Sequence, residues 1–190
     1  MADLRDVDPE VILYSYYRDA ELRGANLLFR LLRVVDDAEA QMNLTDHLAD
    51  EVRHAALWTG RIRELGAHPV PVDDGYQVRI GKLAGVPRNV VDLFALTVVV
   101  EQRALRRYHE HLRRADVEER TREVLQAVTK DEAWHIDWIR KKARELAERA
   151  GEPDRMDRAL ARYREIDRAV MAELDAKERA LGIVADAARA

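Results

Sequence analysis

The sequence predicts an all-α fold, a four-helix bundle with one long crossover between its second and third helices, followed by a long fifth helix. Three observations predict it. Ala, Leu, Arg and Glu abound while aromatics make up only 6% of the 190 residues, a composition that favours helices over sheets. Apolar residues recur at helical spacing through five long segments. Helix breakers gather in one place, residues 67–87, where Gly75, Gly81 and Gly85 stand beside Pro69, Pro71 and Pro87.

The first helix opens at Asp8-Pro9-Glu10, an N-cap, a first-turn proline and an early acid, and runs to about residue 35. The second spans about 38–65 and is stopped by Gly66. After the crossover a third helix spans about 88–114 and a fourth about 117–150, ending at Gly151. Glu152-Pro153-Asp154 then restarts the chain into a fifth helix, about 155–181. Short links within the first and second pairs make each an antiparallel hairpin. The expected organisation is a bundle over residues 9–150 and an accessory helix over 152–184. That last helix carries a broad apolar stripe, with Met156, Leu160, Tyr163, Ile166, Val170, Met171 and Leu174, and needs cover from its own bundle or from a second subunit.

Bulk properties exclude several function classes. At 21.9 kDa one core is expected. A net charge of -4 gives no global attraction to nucleic acid or an anionic membrane. The absence of cysteine excludes disulfides, thiolate zinc sites and a four-cysteine iron site, so any metal sits on oxygen and nitrogen ligands. No apolar run approaches the roughly 20 residues that span a bilayer, and the acidic opening MADLRDVDPE does not read as a secretion signal. A cytoplasmic protein is expected.

The chemistry lies in a repeat. Glu51-Val52-Arg53-His54 and Glu132-Ala133-Trp134-His135 are both Glu-x-x-His, a spacing that projects both side chains from one helical face. Each has a partner acid at nearly the same distance: Glu21 lies 30 residues before Glu51, and Glu101 lies 31 before Glu132. Offsets of 80 and 81 also superpose Asp50 on Asp131, Leu13 on Leu93, Tyr14 on Phe94 and Leu44 on Leu125, the mark of a duplicated hairpin. All four acids share stripes with apolar residues and point inward. Burying four carboxylates together costs on the order of several kcal/mol for each unpaired charge. Two divalent ions would balance them, and a mixed carboxylate and imidazole set suits iron or manganese better than calcium.

A Glu from each of two helices plus Glu-x-x-His from each of two others is the ligand set of di-iron carboxylate proteins. The chain therefore resembles the ferritin-like superfamily over residues 9–148. The resemblance implies two iron ions, with manganese or a mixed pair as alternatives. Glu21 and His54 would be terminal ligands of one ion and Glu101 and His135 of the other, with Glu51 and Glu132 bridging. Asp50 and Asp131 match the acid that often hydrogen-bonds a ligand imidazole in such sites.

Within the superfamily, residues 131–138 look like the corresponding stretch of bacterioferritin, but Val52 replaces the methionine that binds haem there and the fifth helix is long. Rubrerythrin-like peroxidases carry a cysteine-bound iron domain, which this chain lacks, and manganese catalases are usually larger. The remaining resemblance is to small di-iron oxygenases of the ubiquinone-pathway and tRNA-modifying kinds. It implies O2 or peroxide, a small organic substrate and an electron donor as partners, with a ferroxidase or peroxide scavenger as alternatives. An oxygenase of this type needs an apolar cavity of roughly 300 Å³ or more beside the metals.

Other residues receive plainer readings. Arg103, Arg106, Arg107, Arg113 and Arg114 are interleaved with acids and His residues and read as a solvated face, so nucleic acid is not expected. Tyr17, Tyr108, Trp58, Trp134 and Trp138 read as packing. His47, four residues before Glu51, reads as a surface or end-of-bundle histidine rather than a further polar group near the metals.

Overall fold

Capping chemistry sets where the helices of the computed structural model begin, and the description covers residues 4–85 and 87–181. The Asp8 carboxylate accepts from the Glu10 N–H at 2.8 Å and starts α1 (Pro9–Leu32). Asp37 does the same for α2 (Ala38–Glu64), accepting from the Ala40 N–H at 2.9 Å. Asn89 caps α4 (Val90–Leu112) by accepting from Val91 N–H. The remaining long helices are α5 (Glu119–Arg149) and α6 (Arg155–Ala180). Gly66 and Gly151 adopt positive φ, 70° and 72°, just after α2 and α5, and the next N–H in each case reaches back to a carbonyl of the last turn.

The regular elements among the described residues are all helices, without strands, as the composition predicts. One element departs from the expected layout. The stretch read as a helix-breaking crossover contains a short helix, α3 (Tyr76–Ala84), bracketed by Gly75 and Gly85. It buries Tyr76, Ile80 and Ala84, which are spaced four apart, and Gly81 within it masks that stripe in the sequence. Predicted ends elsewhere agree to within about three residues, the usual fraying range.

The helix pairs α1–α2 and α4–α5 pack closely, and α6 lies along α4 with further contacts to α3 and α5. Met156, Leu160, Tyr163, Val170 and Leu174 of α6 are buried. Ion pairs reinforce that docking: Arg103 forks onto Asp167 at 2.6 and 2.9 Å, Arg107 onto Glu178 at 3.0 and 3.2 Å, and Arg155 onto Asp92 at 3.0 and 3.1 Å. Arg103 and Arg107 are therefore held beneath α6, and the solvated face expected of them is not what forms.

The buried apolar residues fall into two clusters. One gathers Leu28, Leu31, Leu44, Phe94, Val98, Ile139 and the α6 stripe; the other gathers Ile12, Tyr14, Tyr17, Trp58, Ile62, Tyr108, Leu125 and Val128. On each of α1, α2, α4 and α5 the inward acid stands between the residues given to the two clusters. The polar centre is thus sealed at both ends by packed side chains.

Candidate metal centre

Glu21, Glu51, His54, Glu101, Glu132 and His135, the six residues singled out in the sequence, are all at most 4% exposed. Glu132 sits between the two histidines: its Oε1 is 3.3 Å from Nδ1 of His54 and its Oε2 is 3.6 Å from Nδ1 of His135. Glu21 Oε2 is 3.5 Å from the same Nδ1 of His54. One set of donor atoms within mutual reach is Glu21, Glu51, His54 and Glu132, and a second is His47, Glu51 and His135. Glu51 belongs to both. Glu101 stands outside these two sets, with its Oε1 3.7 Å from Nε2 of His47.

The imidazoles are oriented from behind, by an exchange between hairpins. Nε2 of His54 is 3.2 Å from Oδ2 of Asp131, and Nε2 of His135 is 3.1 Å from Oδ2 of Asp50. Each aspartate serves the histidine of the other motif. Arg53 joins the two acids, donating through Nη2 at 2.7 Å to each. With Nε2 of each ring committed outward, Nδ1 of each faces the carboxylates and has no hydrogen-bond partner there, and neither has either oxygen of Glu132.

Those orphaned atoms test whether the residues fit a metal. Two ligands each about 2.1 Å from one ion and at right angles lie roughly 3 Å apart. The nitrogen-to-oxygen separations of 3.3 to 3.6 Å around Glu132 match the edges of such a polyhedron, whereas the atoms form no hydrogen bonds with each other. Buried polar atoms left unpaired cost about 1–3 kcal/mol each, so a group of them aimed at one point calls for a cation. The residues fit one.

Electrostatics give the same account. Burial, reinforced by the neighbouring carboxylates, holds Glu51 and Glu101 well above the ordinary carboxylate range, and burial raises Glu21 as well. Glu132 goes the other way: burial opposes its charge, but His135 and His54 outweigh it and keep the carboxyl below its usual value. Burial likewise opposes the His54 cation, yet Glu132 and Glu21 outweigh it and lift the imidazole to about 10. Four carboxylates this close cannot all ionise without added positive charge, so protons or metal ions must supply it.

Three contributors were not assigned to the site from the sequence. His47, read as a surface or end-of-bundle residue, is fully buried, with Nε2 3.1 Å from Oε1 of Glu51. Tyr108, read as packing, donates its hydroxyl proton to Oε1 of Glu21. Gly24, one turn after Glu21, leaves room for the Glu51 carboxylate, since a Cβ built there would overlap Oε2 of Glu51. His47 and Tyr108 carried a spacing signal, four before Glu51 and seven after Glu101, but spacing alone does not separate a packed ring from a polar contact. The other aromatics divide differently. Tyr17 bonds His111 Nδ1 at 3.3 Å and packs edge-on to Tyr108, while Trp58 stacks on Tyr14 and Tyr108. Trp134, expected to pack, is 47% exposed and touches His135 and Trp138 only along one side.

A cavity beside Tyr108 opens between α1, α3 and α4, lined by Tyr16, Ala20, Val72, Tyr76, Arg103 and Tyr108. It encloses about 40 Å³, well below the size expected for an organic substrate.

Among known proteins, the chain is 34% identical over 97 residues to a 3-demethoxyubiquinol 3-hydroxylase of Pseudomonas putida (strain W619). That alignment covers 48% of this chain and 45% of the relative, so the chain spans about half the length of the curated protein it matches. No family model matches the chain, and no solved structure matches it.

Proposed function

We infer that the chain is a ferritin-like di-iron oxidoreductase, a hydroxylase of an organic substrate that uses O2. The observation that carries this reading is Glu132, a buried carboxylate with two unpaired oxygens, each facing the unpaired Nδ1 of a different histidine. Connectivity supports the ferritin-like part. Leu44 of α2 and Phe94 of α4, each near the start of its helix, join one apolar cluster, so the link through α3 returns the chain along the bundle. The partial likeness to a quinol hydroxylase supports the choice of reaction.

The iron pair, when bound by Glu21, Glu51, His54, Glu101, Glu132 and His135, supplies the redox chemistry toward O2. The chain's residues do the rest. Asp50 and Asp131 hold the imidazole rings so that Nδ1 faces inward. The Tyr108 hydroxyl donates to Oε1 of Glu21 and keeps its own proton, because burial and then the Glu21 charge suppress its ionisation. The two apolar clusters exclude bulk water from the acids.

The test is to load the full chain with Fe(II), supply a chemical reductant and ¹⁸O₂, and look for a labelled hydroxyl in a quinol bearing an open ring position. A label in the product supports hydroxylation. The 40 Å³ cavity favours a second reading, ferroxidase action, because Fe(II) and O2 need no substrate-sized space. Rapid oxidation of many Fe(II) equivalents per chain, with no labelled organic product, would select that reading. Purified protein that takes up neither iron nor manganese, with Glu51→Ala and Glu132→Ala behaving identically to it, would remove both.

A further inference from the structure

The repeat that builds the centre is broken at one buried position. At the offset of 81 that superposes Asp50, Glu51 and His54 on Asp131, Glu132 and His135, His47 falls on Val128. Both are completely buried, so the second hairpin fills this place with an apolar side chain and the first fills it with an imidazole. That imidazole is placed for more than filling. Its Nε2 lies 3.1 Å from Oε1 of Glu51 and 3.7 Å from Oε1 of Glu101. Its ring lies almost parallel to that of His135, 21° between planes and 3.6 Å between centroids. Nδ1 has no partner at all, a burial cost that valine in the equivalent place avoids.

We propose that Nε2 of His47 is a direct ligand of the metal ion held by Glu101 and His135. The two ions then have unequal donor sets, with one imidazole at the Glu21–His54 position and two at the other. This rests on the two-metal reading above and adds to it. Nε2 of His47 and Oε1 of Glu51, 3.1 Å apart, form a hydrogen bond and are also close enough to share one ion, since two ligands at right angles about 2.1 Å from it lie roughly 3 Å apart. A second imidazole raises the affinity of that position for late divalent ions more than an oxygen donor would, so the two positions fill in sequence and discriminate between metals.

The test uses the full chain, freed of metal and titrated anaerobically with Fe(II), with Mössbauer spectra of the ⁵⁷Fe-loaded protein. The expected wild-type result is two ions per chain, bound with separate affinities and giving two distinct quadrupole doublets. His47→Val, which installs the residue of the second hairpin, is expected to weaken one of the two ions at least tenfold and to change one doublet only. His47→Gln should fall between. Two ions at wild-type affinity with an unchanged spectrum in both variants overturn the His47 proposal and leave the two-metal reading standing. A wild-type chain that binds no metal overturns both. Circular dichroism of the metal-free variants checks folding. If neither folds, the metal-to-Nε2 distance in crystals of loaded wild type decides, with about 2.1 Å expected and roughly 3 Å or more overturning the ligand role.

Discussion

At Gly24 a missing side chain and a reaching one meet. An alanine inside a helix is ordinarily more stable than glycine by about 1 kcal/mol, and Gly24 has an ordinary helical φ, so nothing in the α1 backbone needs glycine. What needs it is Oε2 of Glu51, the far end of a flexible side chain that a Cβ would displace. Gly24→Ala should therefore leave metal-free folding unchanged or slightly improved, while weakening metal affinity about 10- to 100-fold. Thermal melting and metal titration of the same preparation read the two effects separately; parallel loss of both would mean the glycine serves packing. The six acids and histidines, by contrast, were legible from sequence because duplication repeats their spacing. Gly24 was not, since the second hairpin has Ala104 in the equivalent place and so does not repeat the glycine, and a helical glycine by itself signals nothing.

Element boundaries follow from caps, and one cap carries a pH signature. Asp37 accepts the Ala40 N–H, and that bond first, with Arg149 next, pushes its carboxyl down to about 2. A depressed carboxylate contributes its stability fully above its unfolded value near 4 and loses it as pH falls toward the folded value. The destabilisation caused by Asp37→Ala should accordingly be evident at pH 6 and much reduced at pH 2, as measured by urea unfolding at each pH. The α6 helix makes a separate prediction. Leu174 is 1% exposed beneath it, so Leu174→Ala should cost about 2–5 kcal/mol in the same assay, whereas an α6 merely resting on the surface would lose under about 1 kcal/mol. Helix existence was readable from apolar periodicity over 20 or more residues. The nine-residue α3 was not, because two turns containing Gly81 give too short a stripe to outweigh the surrounding breakers.

For the whole molecule, the polar centre between two apolar clusters couples metal binding to folding. Ions that bind the folded chain and not the unfolded one raise stability in proportion to the logarithm of their concentration over Kd. Fe(II) or Mn(II) at about 100 times Kd should add about 2.7 kcal/mol, seen as an upward shift in Tm that a chelator reverses. Glu132→Ala should abolish most of that shift, and a metal-independent Tm in the wild type would argue that protons alone neutralise the four acids.

By itself the sequence determined the helical class, the duplicated hairpin and the six inward ligand candidates, because periodicity and spacing along one helix face are local properties of the chain. Tertiary structure decided what depends on two helices meeting. The exchange of Asp50 and Asp131 between motifs, the Tyr108 contact to Glu21, the space at Gly24 and the burial of His47 against Glu51 and His135 are all set by relative helix rotation and approach. Those two quantities are fixed by packing across the bundle, and no residue spacing within a single helix encodes them.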